Sequence, residues 1–228
     1  MRAATRMHDY AAQIAVFLLG QLPKLLAGFA VTLTVAAAAI PLALVFGALL
    51  LAPRLSGRRL IRGTVQAYIE VMRGTPLLLQ IYLIYFGLPL IGLFPSEFTC
   101  GVVGIALQHG AFLCELYRGA IESVSQRQWE AGRAIGMTRL AVFRYAILPQ
   151  ALMKVLGPLG NQLIVLIKDT SLVSAIGVME LTLTGKMVIE RSAASFEIFV
   201  AVALFYLIVT AAVGAGFRLA EQRYAGRL

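Results

Sequence analysis

The sequence predicts an all-α integral membrane protein with five transmembrane helices. Three observations lead there. Of its 228 residues 60% are hydrophobic and only 14% charged, against about 25% charged in an ordinary soluble domain. The stretch Leu25 to Leu51 carries no charge and has only Thr32 and Thr34 as polar side chains; as a helix it would rise roughly 40 Å, enough to span a bilayer with some tilt. The basic residues, finally, are distributed unevenly between the segments that join the apolar runs.

Leu25 to Leu51 is the first span. The second contains the apolar run Leu77 to Pro95 and starts earlier, near Leu60, because apolar residues continue at helical spacing through TVQAYIEVMRGTP. The third is Phe98 to Cys114, the fourth Val155 to Met179 with an interruption at Lys168 to Ser171, and the fifth Ile198 to Phe217. With the N-terminus outside, thirteen of the 20 Lys and Arg fall in inward segments, five fall in outward ones, and Arg73 and Lys168 lie within spans. This is the positive-inside pattern. It accounts for the net charge of +9 through membrane orientation, so no nucleic acid is expected as a partner. The expected organisation is an extracytoplasmic segment 1–24, a membrane domain 25–220 and a cytoplasmic tail 221–228. AAAAI at Ala36 imitates a cleavage site, but the preceding apolar run is too long and its basic flank too weak for a signal peptide. Cys100 and Cys114 stand roughly 21 Å apart along one helix, too far to bridge, and are expected to be lipid-facing or core residues.

Signs of catalysis are missing. The nearest imitation of a phosphate-binding loop, LTLTGKM, has Met187 after Gly185-Lys186 and Glu180 where the first glycine belongs. There is no HExxH and no GxSxG, and the chain has two His. Neither enzymatic activity, cofactor nor metal is expected.

One long segment is too polar for lipid: EAGRAIGMTRLAVFRYAILPQ, Glu130 to Gln150. Ser125 and Gln128 have capping-box spacing, so a helix is expected from about Gln126 through Trp129, Ala131 and Ala134. Gly136 ends it, Thr138 caps a second short helix whose Leu140, Phe143 and Ile147 share a face, and Pro149 punctuates the entry into span four. Periodicity alone leaves two readings open: a solvated amphipathic loop, or an element with an exposed end for a partner protein.

Glu130-Ala131, Gly136 six residues after Glu130, and ILP at Ile147 to Pro149 resemble the EAA signature of permease subunits of ATP-binding cassette importers. YIEVMRGTPLLLQIYLIYFGLP (Tyr68 to Pro89), GAFLCELYRGAIESV (Gly110 to Val124) and NQLIVLIKDTSLVSAIGVMEL (Asn161 to Leu181) are similar to successive blocks of the polar amino acid permease family, which serves histidine, arginine, glutamine and related solutes. The resemblance runs in order from about Thr32 to Glu221. It implies a five-helix type I importer permease in a bacterial inner membrane, paired as a homo- or heterodimer. Two cytoplasmic ATPase subunits would power it and an extracytoplasmic solute-binding protein would feed it. It also implies that the loop at about 122–154 is the coupling helix that docks into the ATPase, with Trp129, Glu130, Ala131, Ala134, Gly136 and Pro149 as coupling residues. Two departures stand out. Arg127 occupies the place of a usual Gly, where a positive helix end disfavours it, and Phe112 replaces a common Tyr.

Such a loop must be stiff. Glu130 is expected to anchor it through charge-assisted hydrogen bonds to an Arg or to backbone amides, while Gly136 permits its turn. A solute path should show itself by polar groups that lipid penalises, a charge at mid-bilayer costing on the order of 3 kcal/mol. Lys168 and Asp169 either neutralise each other or face the solute. Gln162 and Asp169, seven apart, share a helix face, with Thr170 and Ser171 adjacent. Asp169 would take an amino acid's ammonium; its carboxylate would go to backbone amides freed near Gly74 and Thr75 by the break at Pro76. The resemblance, in which both blocks line the central cavity, favours solute contact. An amide at 162, where a carboxylate would suit a cationic side chain, favours a neutral polar solute.

His109 has no titratable neighbour one turn away and is expected to be a hydrogen-bonded core histidine rather than a proton relay. Glu115 and Arg118 should pair at the cytoplasmic end of span three. Tyr82 and Tyr85 fit either an interfacial anchor or a cavity wall. The competing functions are the same scaffold carrying an opine, sulfur amino acid or amine, and, in another class, a channel or membrane anchor, which has no use for a capped loop of this size.

Overall fold

The computed structural model describes residues 2–192 and 194–225, and every regular element among them is helical. They are α1 (Arg2–Arg54), α2 (Arg59–Gly74), α3 (Leu77–Gly87), α4 (Glu97–Glu122), α5 (Gln126–Ala134), α6 (Arg139–Val142), α7 (Leu148–Asp169), α8 (Leu181–Ser192) and α9 (Ser195–Ala225). Short 3-10 turns follow α3 and α7. Four stretches are long and apolar enough to cross a membrane: Val16–Arg54, Glu97–Glu122, Arg139–Ile176 and Ser195–Arg223; a fifth follows if the bent pair α2–α3 is one span.

α1 runs unbroken through Pro23 and Lys24, across the boundary expected at residue 24. At the other end α9 continues through 221 to Ala225; residues 226–228 of the expected tail lie outside the described residues.

α4 is the hub. Ser96 caps it by accepting a hydrogen bond from the Thr99 amide at 3.2 Å, and Glu97 in its first turn complements the helix dipole. Its middle is buried on nearly all sides, with Ile105 and Leu113 packed against Val35, Ala39 and Ala43 of α1 and Leu166 of α7. Close approach of α1 needs Gly47, where a Cβ would stand 2.9 Å from the Gly110 carbonyl oxygen. Cys100 and Cys114 are buried free thiols, both in the core. At the far end Arg54 donates to Glu115 at 2.7 Å and Arg118 to the same carboxylate at 2.8 Å, so the expected Glu115–Arg118 pair forms, gains Arg54, and extends to Glu122. Tyr82 and Tyr85 lie half-buried against the core and meet the ring of exposed Phe86.

The second span is broken more sharply than one proline requires. α2 and α3 meet at 105°, with Thr75 and Pro76 both extended (ψ 146° and 134°). Beyond α7 a turn at Gly177 (φ +95°) reverses the chain into α8, a helix within a segment expected to be an outward connection. α8 is tied down by Glu180, a fully buried carboxylate. Glu180 accepts from the Leu183 amide at 2.9 Å and the Tyr206 hydroxyl at 2.8 Å, with the Thr32 hydroxyl at 3.3 Å. These bonds join α1, α8 and α9, and they give Thr32, one of two polar residues in the first span, its purpose.

Candidate functional site

Two regions carry polar groups that burial or lipid would penalise. In the first, His109 of α4 is 1% exposed and bonded through both ring nitrogens. Nε2 lies 3.1 Å from Asp169 Oδ2, and Nδ1 lies 2.9 Å from the amide nitrogen of Gln162. The tautomer that satisfies both is Nε2–H donating to the carboxylate, with Nδ1 accepting from the amide. Histidine is thus hydrogen-bonded in the interior, as expected, but to a titratable partner that sequence spacing hid, because Asp169 is sixty residues away.

Asp169, at the C-terminal end of α7, has a side chain 30% exposed. Its Oδ1 takes no hydrogen bond from the described residues. Lys168 is exposed and no ion pair joins it to Asp169, so mutual neutralisation of these neighbours is not what holds them; the histidine holds Asp169. Gln162 is on the same face, as the seven-residue spacing predicts. Thr170 is fully buried and its hydroxyl donates to the Ile167 carbonyl at 2.6 Å. Ser171 is half-buried.

The Gly74–Pro76 break borders this cluster. Its consequence is freed carbonyls, which the expectation of freed amides overlooked. The side-chain amide of Gln80 donates to Met72 O at 2.9 Å and to Thr75 Oγ1 at 2.7 Å, and that of Gln108, next to His109, lies 3.1 Å from Met72 O and 3.0 Å from Thr75 O. Gln80 Oε1 remains buried without a partner. Gly74 and Pro76 are exposed, and α3 begins at Leu77 with no side-chain cap, so its first-turn amides have no partner within the helix.

Arg73, an unassigned span charge in the sequence, lies at this edge. Its guanidinium is 5.1 Å from the centroid of Phe112, whose ring is 6.4 Å from that of His109. Phe112 thus offers its ring face to a cation. The cluster presents a guanidinium and a carboxylate joined through two rings. Its sequence signal was an Arg inside an apolar span.

The second region is the elbow between α4 and α7. Ser125 caps α5, though its hydroxyl accepts from the Arg127 amide at 3.3 Å and no side-chain bond returns from Gln128, so the reciprocal capping box is not formed. α5 ends as expected at Gly136 (φ +82°), and Thr138 caps α6 by accepting from the Ala141 amide at 3.3 Å. Gly132 is the contact point, since a Cβ there would meet Val142 Cγ2 at 2.6 Å; sequence reasoning missed it.

One expectation about the elbow needs correction. Glu130 is exposed and makes no hydrogen bond or ion pair among the described residues, so it does not anchor the loop internally. It lines an open cleft of about 490 Å³ with Trp129, Arg133 and Arg139. The ridge of Leu140, Phe143 and Ile147 is graded: Ile147 is fully buried, Phe143 half-buried, and Leu140 74% exposed at the mouth of an apolar groove against Leu51 and Ala52. Pro149 stands in the first turn of α7, the entry expected of it, without breaking the helix. One widened turn (Phe143–Ile147), closed by the Leu148 amide on the Phe143 carbonyl, absorbs the missing Pro donor, and the helix runs from α6 into α7. Trp129 stacks on Phe143 at 6.4 Å; Ala131 and Ala134 are exposed.

A bundle with a bent span, a charged cluster at the bend and a rigid elbow leading into a long helix is that of a membrane transport subunit. Residues 39–226 match the family described as "Binding-protein-dependent transport system inner membrane component", and the chain belongs to it. Glutamine transport system permease protein GlnP of Escherichia coli (strain K12) is 41% identical over 204 residues, covering 89% of this chain and 93% of its own. Nopaline transport system permease protein NocM of Agrobacterium fabrum is 35% identical over 209 residues, 87% of each. Among solved structures, one described as "Crystal structure of an amino acid ABC transporter with histidines" superimposes with a TM-score of 0.87 at 33% identity, covering 91% of this chain and 97% of that one. The fold is therefore the type I importer permease fold, and the chain is a permease component of an ATP-binding cassette importer.

Proposed function

We propose that the chain moves a polar, neutral amino acid, glutamine or a close analogue, across a bacterial inner membrane, with no catalytic site of its own. The observation that carries this is the chain of contacts that leads from an exposed guanidinium, Arg73, through Phe112 and His109 to an intramembrane carboxylate, Asp169, one oxygen of which no described residue bonds. Uncompensated charges within a bilayer are costly and are retained for function. A zwitterionic amino acid supplies their complements, an ammonium for Asp169 and a carboxylate for Arg73 and the first-turn amides of α3. The 41% identity to a glutamine permease supports the same class. The likeness to a nopaline permease supports a second reading, an opine, which carries the same amino acid head group.

The chain works, in this proposal, with a second permease subunit, two ATPase subunits and an extracytoplasmic binding protein. Residues 1–24 begin outside, 25–220 form the permease domain and 221–228 end in the cytoplasm. The ATPase grips the elbow: Ile135 is 79% and Leu140 74% exposed, flanked by Arg133, Arg139 and the unpaired Glu130. Because the chain continues helically from α6 into α7, a push on α5–α6 tilts α7 and moves Asp169 at its far end. Purified with its ATPase and sealed into vesicles, the permease should accumulate labelled glutamine when ATP and a loaded binding protein are supplied from opposite sides. ATP hydrolysis indifferent to every amino-acid-loaded binding protein would contradict the proposal.

A further inference from the structure

We propose that the groove between α1 and the elbow holds an acyl chain of an anionic phospholipid, with the lipid phosphate on Arg139. Two hollows, of about 670 and 300 Å³, meet at Ala48, Leu51 and Ile121 and form one groove. Leu140 and Phe143 of the elbow wall one end of it, and Val155 and Leu159 of α7 the other. Apart from Arg139, Tyr117 and the indole of Trp129, every side chain that lines it is apolar. Its lining on α7 runs from Leu148 to Leu159, roughly 16 Å of helix rise. That is the depth of one leaflet, half of a hydrocarbon core about 30 Å thick. Water gains no hydrogen bonds in such a groove, so a lipid tail is its natural filling. The inference is independent of which solute is carried.

The charge at the mouth selects the headgroup. At this end Arg54 and Arg118 are engaged by Glu115, and Arg118 also by Glu122, but no ion pair among the described residues includes Arg139. Its guanidinium lies 6.0 Å from the centroid of Trp129, an aromatic at the level where interfacial rings are favoured. Leu55, another lining residue, is followed closely by exposed Arg58, Arg59 and Arg62. The nearby acid is Glu130, which shares with Arg139 the cleft on the far side of the indole. A guanidinium fork fits a phosphodiester, and basic pockets between spans recognise anionic headgroups.

Trp129 is the only tryptophan of the chain and lines the groove, so lipids brominated in the acyl chain, which quench indole fluorescence on contact, read its occupancy. The full chain is placed in phosphatidylcholine vesicles that contain either brominated phosphatidylglycerol or brominated phosphatidylcholine. The phosphatidylglycerol should quench equally at about one-fifth of the content, the worth of one arginine at an anionic headgroup. Arg139→Gln should abolish this preference and Arg139→Lys should retain it. Arg59→Gln, which removes the same charge outside the groove, should leave the preference in place. Ala48→Phe, at an exposed position of α1, should fill the groove and weaken quenching by both lipids. Equal quenching by the two lipids in the unaltered chain would overturn the inference, as would a preference that survives Arg139→Gln or falls as far in Arg59→Gln. No quenching by either lipid would assign the groove to a second copy of the chain. A difference between brominated and unbrominated vesicles that disappears when the ATPase is added would assign it to the ATPase. Both results would overturn the lipid site.

Discussion

Asp169→Asn should lower ATP-driven solute uptake at least about tenfold while leaving the complex assembled. The substitution keeps the shape and removes the charge that the solute ammonium meets, and a hydrogen bond to a charged group is worth about 1.5–3 kcal/mol. The environment sharpens the effect. His109 Nε2–H can still donate to an amide oxygen, so the substituted side chain is held just as the carboxylate is held; its NH2 then occupies the outward position and presents a donor to an incoming ammonium. A repulsive contact replaces an attractive one. Uptake and solute-stimulated ATP hydrolysis should fall together, with unchanged recovery of the complex and unchanged basal hydrolysis. Uptake close to that of the unaltered protein would remove Asp169 from the path.

The second large effect belongs to the elbow. Gly132→Val should uncouple the transporter, because its first side-chain atom would meet Val142 Cγ2 at 2.6 Å. Val142 is fully buried and backed by Ile121, Val124 and Ile147, so it has little room to retreat. Overpacking of this kind costs about 1–3 kcal/mol, enough to separate α5 from α6 in an element whose helices have nine and four residues. The membrane bundle does not depend on that contact, so the chain should still insert. Copurification of the ATPase, or its stimulation by loaded binding protein, should fall at least about tenfold. Gly136 gives an internal comparison. At φ +82°, Gly136→Asn should be mild and Gly136→Val should cost about 1–2 kcal/mol, since asparagine enters the left-handed region and a β-branched residue does not. Equal effects of the two would show that the backbone turn is not what matters there.

What the sequence disclosed is what local physics controls. The long apolar runs, the break at Pro76, the cap at Ser125, the stop at Gly136 and the cap at Thr138 are each written within a few residues, and each is found where expected. What it concealed depends on distant partners. Glu180 figured in the sequence only as the residue that spoils a phosphate-loop pattern; it is a buried cap because Thr32 and Tyr206 reach it from 148 and 26 residues away. α8 reads LTLTGKMVIERS, too mixed to announce a helix until α1 and α9 cover one side. His109 could not be paired with Asp169 from spacing, nor Arg73 with Phe112. Pro149 marks the entry into α7 as expected, while the single wide turn that joins α6 and α7 into one rod had no local signal.

The central claim is that force enters through that rod. Its most direct test is a cysteine at Ile135, exposed at the tip of the elbow, introduced after Cys100 and Cys114 are replaced, and crosslinked in native membranes with a short bifunctional reagent. The account predicts a product containing the ATPase subunit, formed from the cytoplasmic side and changing in yield when ATP is bound. Labelling of that cysteine from the periplasmic side, or a product that never contains an ATPase, would contradict it.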